Sequence, residues 1–349
     1  MPEPAGGCLP DGCPEVVVQP GPAIYGPFVT GAAAEPTAQV AVLGTGPEPI
    51  PARRQRGRSW ARAARRAGMF VAAVLLVAAL WEAYKAAGSE NGGSIAGVRV
   101  LPRTDDASMP HVWEILRRFG RPETAGTGSH SVAVAVLDGV WFTFRVAMAG
   151  FALGVLVGML LAAVMQRFRV AERGLLPYVV LSQTVPLVAL APLVVGWGGR
   201  LHLGSVSWQP WMSVAVIAAY LAFFPVAVGA LRGLQSPPEH AVELMRSYSA
   251  SWWQALVRLR LPAAVPYLIP ALRLAAASAV VGAIVAEIST GTRGGVGRLV
   301  IEYSREATAD PAKVYTAFLG AAVLGLGVAG LVALLDLGLR RYRPAPGRG

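Results

Sequence analysis

Apolar residues in this chain come in blocks too long for an ordinary core helix. The first runs from Ala67 to Tyr84, broken only by Glu82. Five more follow, over Leu137–Met165, Leu175–Trp197, Trp211–Leu231, Pro266–Ile288 and Val314–Leu339. Each of these five reaches or exceeds the ~20 residues a helix needs to cross a hydrocarbon core. In lipid the backbone has to satisfy its own hydrogen bonds, so the blocks are predicted as helices. The pattern predicts an all-α fold, a polytopic membrane helix bundle with about six transmembrane helices.

Between the blocks the pattern changes character. Residues 1–52 hold 11 prolines and 8 glycines without a helical period. Such a segment buries too little apolar surface to offset its ordering entropy. The expected organisation is a disordered cytoplasmic tail over 1–66 ending in an Arg cluster, then a first transmembrane helix over 67–84. An extracytoplasmic loop over 85–131 follows, then a membrane core over 132–339 and a basic tail over 340–349. The basic-then-apolar order resembles a signal peptide, but about 66 residues precede the run, so a retained anchor helix is expected. Within the core, residues 234–262 are polar enough to leave the membrane. There Pro237 and Pro238 suit a helix start. Ala241, Leu244, Met245 and Tyr248 fall at i, i+3, i+4 and i+7, an amphipathic stripe. A second short helix is expected from Ser251 to Arg260, ended by Leu261-Pro262.

Composition narrows the class. The 349 residues are 54% apolar and 15% charged, with mean hydropathy +0.50. A soluble domain carries about 25% charged residues, so an ordinary cytosolic enzyme is excluded. The net charge of +11 comes from arginine and is read as membrane orientation, with no nucleic-acid partner. Seven arginines between Arg53 and Arg66 place the N-terminus inside. Alternation from there puts eighteen basic residues inside against eleven outside, with both termini cytoplasmic. The 234–262 segment then lies inside.

Chemistry of its own is hard to find in the chain. A P-loop needs a lysine after a glycine run, and the two lysines, Lys85 and Lys313, both lie outside such a context. Any ATP chemistry has to come from another chain. Cys8 and Cys13 make a single C-x4-C pair in the tail, a poor zinc pattern. The four histidines are scattered, and Gly291–Gly297 reads as a turn rather than a phosphate loop. No Ser–His, paired-Asp or metal constellation of an intramembrane hydrolase is visible, so no metal and no cofactor are expected. Gly150, Gly154 and Gly158 are spaced for close helix packing.

The most informative residues are Glu243-Leu244-Met245, then Ser249 after three residues, then Leu259-Arg260-Leu261-Pro262 after nine more. This resembles the signature of the permease subunits of bacterial ABC importers: Glu-Ala-Ala, three residues, Gly, nine residues, Ile, any residue, Leu-Pro. Spacing agrees throughout, and identity holds at Glu243, Leu261 and Pro262. The Ser182–Leu193 stretch with Pro186 and Pro192, Phe224-Pro225, Leu261–Arg273, and Ala286-Glu287 before a Gly-rich loop are similar to the nitrate/sulfonate/taurine-type subfamily. The likeness covers about Val112 to Leu339.

The resemblance implies a type I ABC importer permease-like bundle with no ATPase site of its own. It implies a P-loop ATPase partner that uses the ATP, a second permease chain (a homodimer), an extracytoplasmic substrate-binding protein and membrane lipid around the bundle. It implies a multi-pass protein of the bacterial plasma membrane. Glu243, Leu244, Met245, Tyr248, Ser249, Leu259, Leu261 and Pro262 would couple to the ATPase. The solute would be small, such as nitrate, a sulfonate or taurine, or a pyrimidine-type precursor. Ionisable groups within spans are costly and face a bundle interior or water, which makes Arg145, Arg273 and Glu287 candidates for the solute pathway. Snorkelling or an Arg–Glu pair is the alternative. Gln183 and Thr184, one turn before Pro186, either line the pathway at a kink or bond between helices. If the Gly place is a left-handed turn, Ser249 there is strained. The rival reading of the whole chain is an ion-coupled secondary transporter.

Overall fold

The computed structural model describes residues 55–339 apart from 90–93, 96–97, 100–102, 125–129, 201 and 204–205. The expected tail up to residue 54, with Cys8 and Cys13, and the basic end from 340 lie outside these residues. The chain divides into Met1–Ala63 and Ala64–Gly349, and the bundle belongs to the second unit.

Long helices dominate: α1 (Gln55–Ala87), α3 (Val132–Arg167), α6 (Pro210–Leu234), α9 (Leu261–Thr290) and α11 (Pro311–Leu339). Shorter ones lie between them: α2 (Val112–Arg118), α4 (Arg169–Leu181), α5 (Leu187–Gly198), α7 (Glu239–Ser247), α8 (Trp252–Ala255) and α10 (Val296–Arg305). Two antiparallel ribbons of two-residue strands complete the description, β1 (Ser94–Ile95) with β2 (Val98–Arg99) and β3 (His202–Leu203) with β4 (Val206–Ser207). The fold is all-α.

Five stretches among the described residues are long and apolar enough to cross a membrane. The sixth predicted span is where the structure departs from a simple rod. It is two helices, Arg169–Thr184 and Leu187–Gly198, bent by 101°. The corner follows from the sequence. Pro186 pushes the residue before it out of helical geometry, and Val185 is extended at φ −70, ψ 125. The Tyr220 hydroxyl of α6 donates to the Ser182 carbonyl and fixes the corner.

Small residues decide how the helices meet, and their order decides direction. A Cβ on Gly150 would lie 2.5 Å from the Ala218 Cβ, one on Gly154 would lie 2.8 Å from the Ala222 Cβ, and one on Gly158 would lie 2.7 Å from the Phe223 carbonyl oxygen. Numbers rise together along α3 and α6, so these helices run parallel. Two parallel neighbours need a return crossing between them, and α4 with α5 supply the helices for it. Taken as that one crossing, the bent pair brings the spans among the described residues to six. Against α6, α9 runs the other way: Gly282 meets Ala218, Gly229 meets Ala271 and Gly233 meets Ala264. Val146, Ile217, Val226, Ala279 and Ala283 fill the centre.

Outer surfaces are apolar. Leu75, Leu76 and Val77 of α1 are all at least 60% exposed, and Leu137 and Leu156 of α3 are similar. A water-soluble protein would aggregate through such a surface; in lipid it is the solvent-matched side.

At one end of the bundle polar contacts tie the loops down. Trp81 donates to the Pro110 carbonyl at 3.1 Å, and Lys85 reaches Asp106 and the Met109 carbonyl, both at 2.5 Å. Arg118 pairs with Asp310. Lys313, 2% exposed, donates to the Glu123 carbonyl at 2.9 Å and to Glu306 at 2.5 Å. The buried Tyr303 hydroxyl donates to Glu123 at 2.9 Å, and burial pushes it well above the ordinary phenol range.

Candidate functional site

The opposite end carries the 234–262 segment. Its base is stiff. Arg260 donates to the Leu234 carbonyl at 2.9 Å, and the Ser236 hydroxyl donates to the Gly233 carbonyl at 2.7 Å. Pro238 sets extended geometry at φ −65, ψ 150, and α7 starts at once. Glu243 and Leu244 point outward with Tyr248, which is 78% exposed, while Met245 is half-buried. A nine-residue helix with its apolar residues turned to the outside has no reason to form alone. It is held by its ends.

Its C-terminal end is the Gly place of the motif. Ser249 sits at φ 53, the one non-Gly residue with positive φ among those described. Ala250 N–H donates to the Met245 carbonyl at 3.0 Å and Ser249 N–H to the Arg246 carbonyl at 2.9 Å. These are the two bonds of a Schellman cap, whose left-handed position normally holds Gly. The expected strain is present: serine in that region costs about 1–2 kcal/mol.

The cap leads straight into a second one. Ser251 and Gln254 form a reciprocal capping box, with Ser251 N–H to Gln254 Oε1 at 2.8 Å and Gln254 N–H to Ser251 Oγ at 3.3 Å. Trp252 donates to Gln166 of α3 at 3.2 Å and lies beside Arg167, 5.9 Å from its ring. The expected stop at Leu261-Pro262 is absent. Residues 256–260 widen into a π turn in which Leu261 N–H bonds to the Leu256 carbonyl, and the helix continues to Thr290. The wider turn absorbs Pro262, which has no N–H to give. Leu259 and Leu261 are half-buried and Pro262 is exposed. The exposed α7 knob and its cap therefore lead directly into a single 39-residue helix, Trp252–Thr290.

The candidate pathway residues do not gather in one place. Gln183 and Thr184 lie at the α4–α5 corner. Gln183 is half-buried and donates to Ser182 Oγ at 3.3 Å, and the Thr184 hydroxyl donates to the Leu181 carbonyl at 2.8 Å. Arg145 is exposed on α3, 5.9 Å from the Trp141 ring, and lines a cavity of about 330 Å³ with Phe142, Val146, Ala149 and Trp211. Arg273 lines another of about 280 Å³ between α9 and α11 with Ala276, Val280 and Val328.

Glu287 faces neither arginine. It is fully buried at 0% exposure and accepts from the Thr143 hydroxyl at 2.8 and 3.0 Å and from Gly297 N–H at 2.9 Å. Thr143 in turn accepts from Val296 N–H at 2.9 Å. The first two amides of α10, whose own N-cap is Gly295, are thus capped by α3 and α9. A carboxylate at a helix N-terminus is favoured by the helix dipole. Gly295 has to be glycine, since its Cβ would lie 2.1 Å from the Glu287 carboxyl carbon. Neither Thr143 nor α10 stands out in the sequence; the amphipathic period of Val296–Arg305 was the available signal.

Comparison with known proteins follows the same segments. The family described as binding-protein-dependent transport system inner membrane component matches residues 154–341. The chain is 33% identical over 184 residues to the formylaminopyrimidine transport permease protein ThiX of Halalkalibacterium halodurans, covering 50% of this chain and 70% of the relative. It is 34% identical over 161 residues to a probable ABC transporter permease protein of Haemophilus influenzae, covering 46% of this chain and 62% of the relative. It is 32% identical over 171 residues to the taurine transport system permease protein TauC of Escherichia coli, covering 48% and 54%. The chain thus spans less than two thirds of the latter two. Among solved structures, it resembles an amino acid ABC transporter at 16% identity and TM-score 0.47, covering 59% of this chain and 95% of that chain.

Proposed function

Because the chain belongs to the family of inner-membrane components of binding-protein-dependent transport systems, we propose that it is the permease subunit of an ATP-driven importer, moving a small solute inward. It supplies the membrane pathway and a mechanical link, and a separate P-loop ATPase supplies the hydrolysis. The observation that carries this reading is the exposed α7 knob with its left-handed cap at Ser249. It stands at the spacing of the importer signature and at the base of one unbroken membrane helix.

In this reading α7 seats in a groove on the ATPase. Glu243 pairs with a cation there, and Leu244, Met245 and Tyr248 fill the groove. Closure of two ATPase chains around ATP pushes α7, and the Trp252–Thr290 rod carries the push into the bundle. Leu259, Leu261 and Pro262 shape the π turn through which it passes. The chain itself holds no ATP and performs no bond-breaking step. Two copies of the chain form the pathway, and the end carrying α7 is cytoplasmic, as are both termini. An extracytoplasmic binding protein delivers the solute to the other end. Arg145 and the Gln183–Thr184 corner are the residues we place along the route, with Arg273 beside it. Glu287 holds the bundle end together rather than touching solute.

Relatives are named for formylaminopyrimidine, riboflavin, taurine and aliphatic sulfonates. A small polar solute, a sulfonate or a nitrogen heterocycle, is the class we propose. The test is Glu243→Lys in the reconstituted complex. Uptake should fall at least tenfold while the ATPase still hydrolyses ATP. Uptake coupled as in the unaltered complex would sink the docking role.

A further inference from the structure

One face of α4 has no protein partner that explains its chemistry. Arg169, Arg173, Leu176, Pro177 and Val180 fall along it at helical spacing and, with Glu172 and Leu181, line one open hollow of about 750 Å³. The face changes character along its length. Its start is cationic, and its second half is apolar and half-exposed, with Val180 at 50% and Leu181 at 57%. Arg169 and Arg173 are four residues apart, so their like charges repel on one helix face. Neither has an ion pair or hydrogen bond among the described residues. The one acid between them, Glu172, lines the same hollow but pairs with neither arginine: it accepts from Gln235 of the α6 end at 2.9 Å. Arg167, the other nearby cation, is packed against the Phe168 and Trp252 rings at 5.4 and 5.9 Å. α4 begins two residues after α3 ends at Arg167, so its cationic start lies level with the end of α3.

Two unpaired arginines at the membrane edge, followed by two turns of exposed apolar wall, match one chemistry. The phosphate of a lipid headgroup fits the first part and its upper acyl carbons fit the second. An acidic protein surface would use the arginines but not the wall that runs on toward the hydrocarbon. We propose that this face of α4 is a binding site for an anionic phospholipid, with Arg169 and Arg173 on its phosphate and Leu176, Pro177, Val180 and Leu181 along its chains. The site adjoins the Gln183–Thr184 corner at Leu181 and does not include the α7 contact. Basic residues near a membrane surface each contribute about a factor of five toward anionic lipid.

The experiment is a lipid titration of the delipidated, detergent-purified permease–ATPase complex, read by native mass spectrometry. Dioleoylphosphatidylglycerol should bind at least tenfold tighter than dioleoylphosphatidylcholine, and millimolar inorganic phosphate should not displace it. Arg169→Gln with Arg173→Gln should weaken phosphatidylglycerol roughly 30-fold. The double Lys variant, which keeps both charges, should stay within about threefold of the unaltered complex. Arg305→Gln, at the far end of the bundle, should change nothing. Equal binding of the two lipids, or an unweakened double Gln variant, overturns the proposal. So does displacement by phosphate, which would make the site a simple anion site. A Leu176→Cys variant that crosslinks to the ATPase or to a second permease chain in intact membranes also overturns it, because the occupant would then be protein.

Discussion

Replacing Glu287 with alanine removes the cap that α9 gives to α10. Two donors lose their acceptor, the Thr143 hydroxyl and Gly297 N–H, both within 3.0 Å of the carboxylate. Leaving a buried donor without its acceptor costs about 1–3 kcal/mol, so the gross loss for the two is roughly 2–6 kcal/mol. Relief from burying a carboxylate offsets part of it, leaving about 3 kcal/mol net. For a bundle of this size, each kcal/mol shifts the unfolding midpoint by about 2–4 °C. The midpoint should fall by roughly 6–12 °C in detergent, followed by tryptophan fluorescence. Glu287→Gln keeps an acceptor for Gly297 and should lose about a third as much. Hydrogen exchange should report the same event locally, with the Val296 and Gly297 amides exchanging faster in the alanine variant while the α3–α6 seam stays protected. Thr143→Ala should be non-additive with it, because the two side chains share one network. An alanine variant melting within about 1 °C of the unaltered protein, with exchange at α10 unchanged, would refute the cap.

Ser249→Gly should relieve a left-handed serine and raise the midpoint by about 2–4 °C, the equivalent of about 1 kcal/mol; a lowered midpoint would contradict the strain. Gly154→Val should push α3 from α6, because a Cβ there already lies 2.8 Å from the Ala222 Cβ. The expected cost is at least about 1–3 kcal/mol with poor yield, and an unaffected protein would contradict the parallel seam. At the other end, the Lys85 ammonium bonded to Asp106 holds that carboxyl below the usual carboxylate range. A lowered value gives stability that is present above about pH 4 and lost as pH falls through the lowered value. Asp106→Asn should therefore melt below the unaltered protein near pH ~6, and the gap should close as pH falls through the lowered value. A gap independent of pH would show that the ion pair is not its source.

Much of the membrane architecture was legible because hydropathy is local. Runs such as Trp211–Leu231 and Val314–Leu339 announce helices without help from distant residues, and both appear within α6 and α11. The helix–turn–helix of the 234–262 segment was legible by spacing, down to the left-handed turn at Ser249. What stayed hidden depends on partners far away in the chain. A kink before Pro186 was expected, but its 101° size was not, and the residue that fixes it, Tyr220, is 38 positions after Ser182. Glu287 looked like an intramembrane charge with a pathway or ion-pair role; its partner is a threonine 144 residues earlier, a pairing no period encodes. Pro262 looked like a stop, and the π turn that lets the helix pass it is a tertiary accommodation around the buried Leu256. α10 was missed because ten amphipathic residues after a Gly-rich loop resemble an ordinary surface stretch.

The central claim is that this chain is moved by an ATPase through α7. The direct measurement is ATP-dependent crosslinking of a Tyr248→Cys variant in native membranes, with the captured chain identified by mass spectrometry and solute uptake followed in parallel. The account predicts capture of a P-loop ATPase in near-equal ratio to the permease, with uptake that stops when ATP is withdrawn. A chain that crosslinks to nothing, purifies alone and moves solute down an imposed ion gradient would contradict it.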